Sequence, residues 1–453
     1  MADSQQITHN AVFAAGDVDI QEVTIINNAG IEYDLLAGYL GELNLFEDIY
    51  SPGLYGNIVV FDANNINQLL RLQGDEMVRI KFVTPSMQGT EIYKTFKIYS
   101  VSDKLMYTDT GKQTYTLHFC SPEIFLDALQ PIYKTFKGSA KTIITEIFSK
   151  KLSTSRTGDS ADTQLTIVGD SVHELKFTSP GWRPSRCINW IASKIQESGY
   201  LNPGYMFYES NKQFYFVNIE HLFDAYKKAG KVYQEYKYGA ANLADNADDS
   251  FSPTVERDIE LEYQRIMELK VVEAYNSLKN TQTGYLSNRL YTFDFVTKKN
   301  EVFSYDHIAN YAQYKHLEDI GGTALAPFPP NALTANTGYN QVYFKHSQLY
   351  TGISNNAADI IEQVLPRRTS TQAELNNFKI EITVPGRTDM EVGNVIKLHY
   401  PDASPRDETD KNNNNDDTYY SGYYLVTAVR HKITHLKHVM VLELTKDSLR
   451  QVT

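Results

Sequence analysis

Lysine and arginine are missing from the start of this 453-residue chain: the first is Arg71, and ten of the 55 acids stand before it. Cysteine and tryptophan each occur only twice. Two thiols, Cys120 and Cys187, cannot build a disulfide framework, and Cys187 beside Ile188 and Trp190 in a helical pattern predicts that both are buried and free. No stretch reaches the roughly 20 apolar residues that a spanning helix needs. The N-terminus has no basic region and no apolar run, so neither membrane insertion nor a secretory signal is expected. Gly-x-Ser-x-Gly, the phosphate-cradling Gly-x-x-x-x-Gly-Lys-Ser/Thr and Cys-x-x-Cys are all missing, which predicts a protein that is not an enzyme, with no catalytic residue and no cofactor. A net charge of -12 argues against a protein that grips nucleic acid by its phosphates. The one-signed N-terminal stretch alternates like a strand-rich fold and predicts a folded surface with a strong negative field rather than an acidic tail, the plainer reading being an acidic solvated face kept for solubility.

What the chain has in plenty is aromatic residues, 12 % of the total, with 32 Tyr and 21 Phe. Many segments alternate with the period of two of half-buried strands, for instance Phe96-Lys97-Ile98-Tyr99-Ser100-Val101. Helical patterns gather in the middle, over 122–130 after Ser121, over 139–152 and over 184–198. Later helices are expected over 304–317 and over 357–365, the second ended by Pro366. Residues 321–340 read as loop, and acidic flexible stretches at 245–249 and 402–417 read as a linker and a strand interruption.

A faint, ordered repeat organises the rest. Glu42-Leu43-Asn44-Leu45-Phe46-Glu47 matches Glu268-Leu269-Lys270-Val271-Val272-Glu273. The strand at 57–62 matches 288–294, and the Gly-led strand starting at Gly74 matches the one starting at Gly393. A closing hairpin, 96–105 with 115–119, matches 423–433 with 439–444. The fold class expected is α+β, mainly β, with two related small β-barrels. The divisions are an N-terminal segment 1–17, a first barrel 18–122, a mixed α+β domain 123–255, a second barrel from 256–303 and 376–453, and a helical insert 304–375 packing on the middle domain. Three such chains about an axis would display six near-equivalent barrels, adapting sixfold to threefold objects.

Sites with chemical potential are few. His173-Glu174 opens like a helical zinc motif, but Phe177 stands where the second His must be. His431, His435 and His438 flank a hairpin turn and invite a metal, yet strand-end histidines without a fixed fourth ligand read better as surface or interface residues, so no metal site is assigned. Asp407, Glu408 and Asp410 lack the alternate spacing and turn Gly of a calcium loop. Trp182 and Trp190 with Tyr205, Phe207, Tyr208, Phe214, Tyr215 and Phe216 suggest a sugar-stacking platform, but on a helix and a hairpin they read better as packed core.

Three blocks together resemble a known family. They are LNLFEDIYSPGLYGNIVVFDANNI with GDEMVRIKF; SPE, PGWRPSRCINWIASKI and GYMFYESNKQFYFVNIEHL; and VPGRTDMEVGNVIKLHYPD, GYYLVTAVRHKIT and HVMVLELTKDSL. The family is the central hub of contractile bacteriophage tail baseplates, related to the hub part of type VI secretion spike proteins. The resemblance implies tube-type barrels and a homotrimer, with the tail tube or its initiator above, a separate trimeric spike below and baseplate wedge proteins around it. It also implies a channel passing the tape measure protein and DNA without specific DNA binding, and a place in the virion after assembly in the host cytoplasm. The acids of 17–62 would then line the bore. Two other readings are a carbohydrate-binding or cell-wall-degrading tail-tip protein, and the hub of a tailocin or secretion injection machine. The acidic loop 402–417 and the Pro-rich stretch 326–330 depart from the family pattern.

Overall fold

The computed structural model describes residues 14–85, 87, 90–107, 111–153, 164–229, 232–238, 259–319, 324–328, 339–345, 352–353, 355–401, 416–435 and 437–449. The expected linker at 245–249 and nearly all of the acidic stretch 402–417, with Asp407, Glu408 and Asp410, lie outside them. The chain is mainly β. Its first strands are β1 (Asp19–Ile26), β2 (Glu32–Asp34), β3 (Leu40–Asp48), β4 (Tyr55–Asp62), β5 (Met77–Val83), β6 (Ile92–Met106) and β7 (Gln113–Cys120). They hydrogen-bond in the order β3-β4-β7-β6-β5-β1-β2. Alternation in β7 sends Tyr115, Leu117 and Phe119 inward, where they meet Val78, Ile80 and Phe82 of β5 and Ile58 and Val60 of β4 in one core. The sheet therefore curls around its own side chains. Gly56 of β4 lies under the Phe119 ring: a Cβ there would come within 2.2 Å of it.

The middle of the chain supplies β8 (Ile132–Gly138), β9 (Leu165–Ile167), β10 (Leu175–Trp182), β11 (Tyr205–Glu209) and β12 (Phe214–Asn218). The helices predicted there form at Pro122–Leu129, Ala140–Ile147 and Pro184–Ala192. Pro122 and Pro184 each open a helix, and Ser139 accepts from Thr142 N at 3.3 Å as an N-cap. Cys187 and Cys120 are buried and free, as expected.

The remaining strands are β13 (Glu235–Tyr238), β14 (Arg265–Ile266), β15 (Glu268–Glu273), β16 (Ser287–Asp294), β17 (Asn300–Asp306), β18 (Asn340–Lys345), β19 (Lys379–Pro385), β20 (Val395–His399), β21 (Gly422–Thr434) and β22 (His438–Thr445). Here β15, β19, β22, β21 and β20 pair in that order, the order of β3, β4, β7, β6 and β5. Even the irregularities match. A bulge interrupts β6 against β7 between Ile98 and Ser100, and β21 against β22 between Val426 and Ala428. At the same place Ile98 N donates to Glu76 O at 2.8 Å and Val426 N to Asn394 O at 2.9 Å.

One correspondence read from the sequence is corrected by this pairing. The counterpart of β4 is β19, not the stretch 288–294, because β19 lies between β15 and β22 as β4 lies between β3 and β7. Strand β16 instead forms a separate sheet with β17 and β18. Two helix expectations also change. Residues expected to open a helix at 304 belong to β17, followed by short helices at His307–Asn310 and Tyr311–Gln313. Pro366 does not end a helix: Ile361–Glu374 runs through it. Tertiary anchoring outweighs the lost backbone bond, since Arg368 donates through Nη1 to the carbonyls of Ala192, Pro203 and Tyr205 at 3.1, 2.7 and 3.0 Å.

Candidate functional site

The residues most open to a functional reading sit where the two halves of the large sheet meet. Strand β3 pairs with β4 on one edge and with β21 on the other, so Glu42 to Asp48 lie opposite Thr434 to Ala428. The second half thus continues the first as one 14-stranded sheet. On the face away from the cores, Arg430 Nε donates to Asn44 at 2.9 Å, Asn44 donates to Asn57 at 2.9 Å, and Lys432 meets Glu42 at 3.2 Å. Burial works against its charge, yet Asn44 and Lys432 hold the Glu42 carboxyl below its usual value.

Antiparallel pairing brings cations from later strands beside some of the acids of the first 70 residues. Glu22 and Glu32 meet Arg79 of β5 at 2.8 and 3.5 Å, and Glu42 meets Lys432 and Arg430 of β21. Glu47 and Asp62 are buried. Asp34 and Asp48 accept backbone N–H groups of Leu36 and Tyr50 at 2.8 Å each.

On the inner side of the junction runs a buried polar chain that the sequence showed only in pieces. Glu47 Oε1 lies 3.1 Å from His431 Nε2, and His431 Nδ1 lies 3.0 Å from His438 Nε2. All three side chains are buried, with Phe82 edge-on to both rings. The surface placement expected of these histidines holds for His435, which is exposed at the turn, and fails for His431 and His438. Glu47, His431 and His438 stand in line rather than around a centre, and among the described residues no three His, Cys, Asp or Glu side chains are placed to hold a metal. Burial, then the neighbouring His431, pushes His438 well below its ordinary pKa, so it stays neutral. Gly386 makes room for its ring, since a Cβ there would lie 2.1 Å away.

A second buried staple ties the first half to the middle domain. Glu209, at the end of β11, receives Lys94 Nζ of β6 at 2.8 Å and Leu54 N at 3.2 Å, and the Ser121 hydroxyl donates to it. Lys94 also donates to Ser210 O at 2.9 Å. Next to it, Ser210 and Lys212 bind Glu391 at 2.8 and 2.7 Å, and Asn211 donates to Met390 O at 3.0 Å, so the β11–β12 turn grips both halves.

Other sequence candidates dissolve into structure. Tyr205, Phe207, Tyr208, Phe214 and Phe216 are buried, and Tyr215, Trp182 and Trp190 are partly buried against the cores, so these rings form no open stacking platform. His173-Glu174 precedes β10, and Phe177 lies on that strand rather than on a helix.

With this geometry in view, comparison with known proteins gives a fold. No protein-family profile and no curated protein sequence matches the chain. A tail protein from Neisseria meningitidis MC58 superposes with a TM-score of 0.50 at 12 % identity, over 94 % of this chain and 96 % of that one. The 43 kDa tail protein of prophage MuSo2 from Shewanella oneidensis gives 0.47 at 8 % identity, over 94 % and 99 %. An E. coli component of the type VI secretion system gives 0.40 at 8 % identity, over 96 % and 79 %. At these identities the likeness is one of fold: the chain shares the fold of the Neisseria tail protein along nearly its whole length.

Proposed function

We propose that this chain is the central hub of a contractile-tail baseplate, working as a homotrimer in the virion. Residues 18–122 form one tube-type barrel. The second barrel, expected from 256–303 and 376–453, is assembled from β15 and the strands from β19 onward, and the insert expected at 304–375 begins earlier, after β15, because β16 pairs with β17 and β18 and not with the barrel. Three chains carry six barrels, a pseudo-sixfold ring that seats a sixfold tail tube above and a threefold spike below, with wedge proteins around it. The single observation that carries this reading is the duplicated strand order with its matched bulge, joined into one sheet by β3 and β21. The tail-protein fold supports it.

In this reading the sheet face through Glu42, Asn44, Arg430 and Lys432 forms the wall of a channel for tape measure and genome. Its paired charges leave few free cations for phosphate to grip, so DNA passes without specific binding. The same fold would serve an injection machine that carries no genome. The rings that suggested a glycan-binding tail tip are buried or partly buried, which weighs against that reading. The test is absolute mass by light scattering behind size exclusion, alone and with a candidate spike. The expected mass is three times the 51.6 kDa chain. A monomer in both preparations overturns the hub.

A further inference from the structure

The chain contains one junction between its halves, and both partners of that junction have a counterpart left uncovered. The distal part of β21 pairs with β22 on one edge and with β3 on the other. Its equivalent, the distal part of β6 from Ser100 to Met106, pairs with β7 on one edge, and among the described residues no strand covers the other. The equivalent of β3 is β15, which pairs with β19 alone among the described residues. We propose that the open edge of β6 in one copy pairs antiparallel with the open edge of β15 in the next copy of this chain. The junction made inside the chain by β21 and β3 is thereby repeated between chains. This rests on the ring reading above and names the surface that closes it.

The equivalences fix the register. Arg430 lies opposite Phe46, and Phe46 faces Tyr55 as Glu273 faces Lys379, with Val272 the extra residue of a bulge in β15, so Ser102 falls opposite Glu273. Beyond them Asp103, at φ +51°, forms an extra bulge in β6, after which Lys104 to Met106 resume opposite 269–271.

The equivalences also supply an anchor. Ile433, at the end of β21, crosses the junction and is fully buried in the core of the first half. Its counterpart by pairing is Met106, since Ile433 faces His438 as Met106 faces Gln113, and Met106 is 66 % exposed. On the receiving side Leu43 and Leu45 are buried, while their counterparts Leu269 and Val271 are only partly so against the core of the second half. Uncovered edges bearing Leu105, Met106, Met267 and Val272, all strongly exposed, are what sheet proteins otherwise blunt with charge or proline. The contact is heterologous, one edge meeting a different edge, so copies add head to tail until the ring closes.

The test uses the full-length chain with Ser102→Cys and Glu273→Cys. On oxidation the double variant is expected to give covalent trimers on a non-reducing gel. The two single variants, mixed, are expected to give dimers and no trimers. Met106→Asp, at a side chain exposed in the single chain, is expected to yield monomers with an unchanged far-UV spectrum at concentrations where the parent is trimeric. A parent trimer that neither cross-links through the pair nor responds to Met106→Asp overturns this strand assignment and leaves the ring standing. A parent that is monomeric alone and with spike overturns the ring, and this surface with it.

Discussion

Removing the carboxylate of Glu209 strands a buried ammonium. Lys94 is 5 % exposed and Glu209 1 %, their charged atoms 2.8 Å apart, and the same carboxylate accepts from Leu54 N and Ser121 Oγ. Breaking such a pair from one side costs about 3–5 kcal/mol, whereas replacing both partners by apolar groups of similar volume is often close to neutral. Glu209→Met alone should therefore lose about 3–5 kcal/mol, and Glu209→Met with Lys94→Met about 1–2 kcal/mol, the remainder reflecting the Leu54 and Ser121 donors. Lys94→Met alone breaks the same pair from the other side and should lose a similar amount, about 3–5 kcal/mol, so the double variant should lose at least about 4 kcal/mol less than the sum of the singles. Urea unfolding can be followed by two probes, because both tryptophans, Trp182 and Trp190, lie in the middle domain whereas far-UV ellipticity reports the whole chain. The parent should show coincident transitions, and Glu209→Met should separate them by freeing the first half of the sheet from the middle domain. A single variant that loses under about 1 kcal/mol, or a double variant that loses the sum of the singles, would refute the staple.

Two histidines give opposite pH signatures. His316 donates to Asp447 at 2.8 Å and to Tyr311 O at 2.8 Å, and although burial opposes the charge, Asp447 raises its pKa to about 9. A raised folded pKa stabilises most below the unfolded value near 6.5, so about 3 kcal/mol should fade as pH rises through about 9. His316→Gln should flatten that limb of a Tm-versus-pH curve. His438 is depressed, so its share is whole above pH about 6.5 and lost as pH falls below it, by up to about 1.4 kcal/mol per pH unit, a slope that His438→Gln should remove. Gly56→Ala should cost at least about 1–3 kcal/mol, because Phe119 and the Asn44 carbonyl already occupy the space of a methyl, and soluble yield with Tm will report it. Arg368→Met leaves three carbonyls without their donor and should lower the stability of the middle domain by roughly 2–5 kcal/mol, read by tryptophan fluorescence.

Local rules carried the sequence reading a long way. Prolines 122 and 184, Ser139 and the period-two runs of β7 and β22 act within a few residues, and the structure places helices and strands where they point. Pairing is non-local, and there the reading slipped. Residues 288–294 carry the Asn and Asp that bracket 57–62, so they matched by identity. Ile382 and Val384 of β19 are the true counterparts of Ile58 and Val60, alike in residue type and burial, but Glu381 and Gly386 stand where Asn57 and Asp62 frame the first copy. The same distance hid the charge pairing, since Arg79, Arg430 and Lys432 come late in sequence and lie beside early acids in space. His431 and His438 were legible as a hairpin pair. Their burial was not, because it depends on Glu47, Phe82 and Gly386, each from another strand or turn.

The two halves are alike where sheets join and unlike where the chain leaves them. Between β3 and β4 the first half has a short turn through Gly53 and Leu54, pressed against Ile124 and Glu209. Between β15 and β19 the second half opens into residues 274–378, with their own sheet and a small core of Tyr285, Leu286, Tyr311 and Phe328. A long excursion at one turn is tolerable because loop-closure entropy grows only slowly with length. Here it is also held at its far end, where the Tyr311 hydroxyl donates to Asp447 O at 2.9 Å and His316 binds the Asp447 side chain, just beyond β22. In a ring of three chains the joined strands would therefore recur six times and the excursions three times. In the proposed ring the sheets would thus present a near-sixfold face and the inserts a threefold one, since one strand order occurs twice in the chain and only one copy carries the excursion.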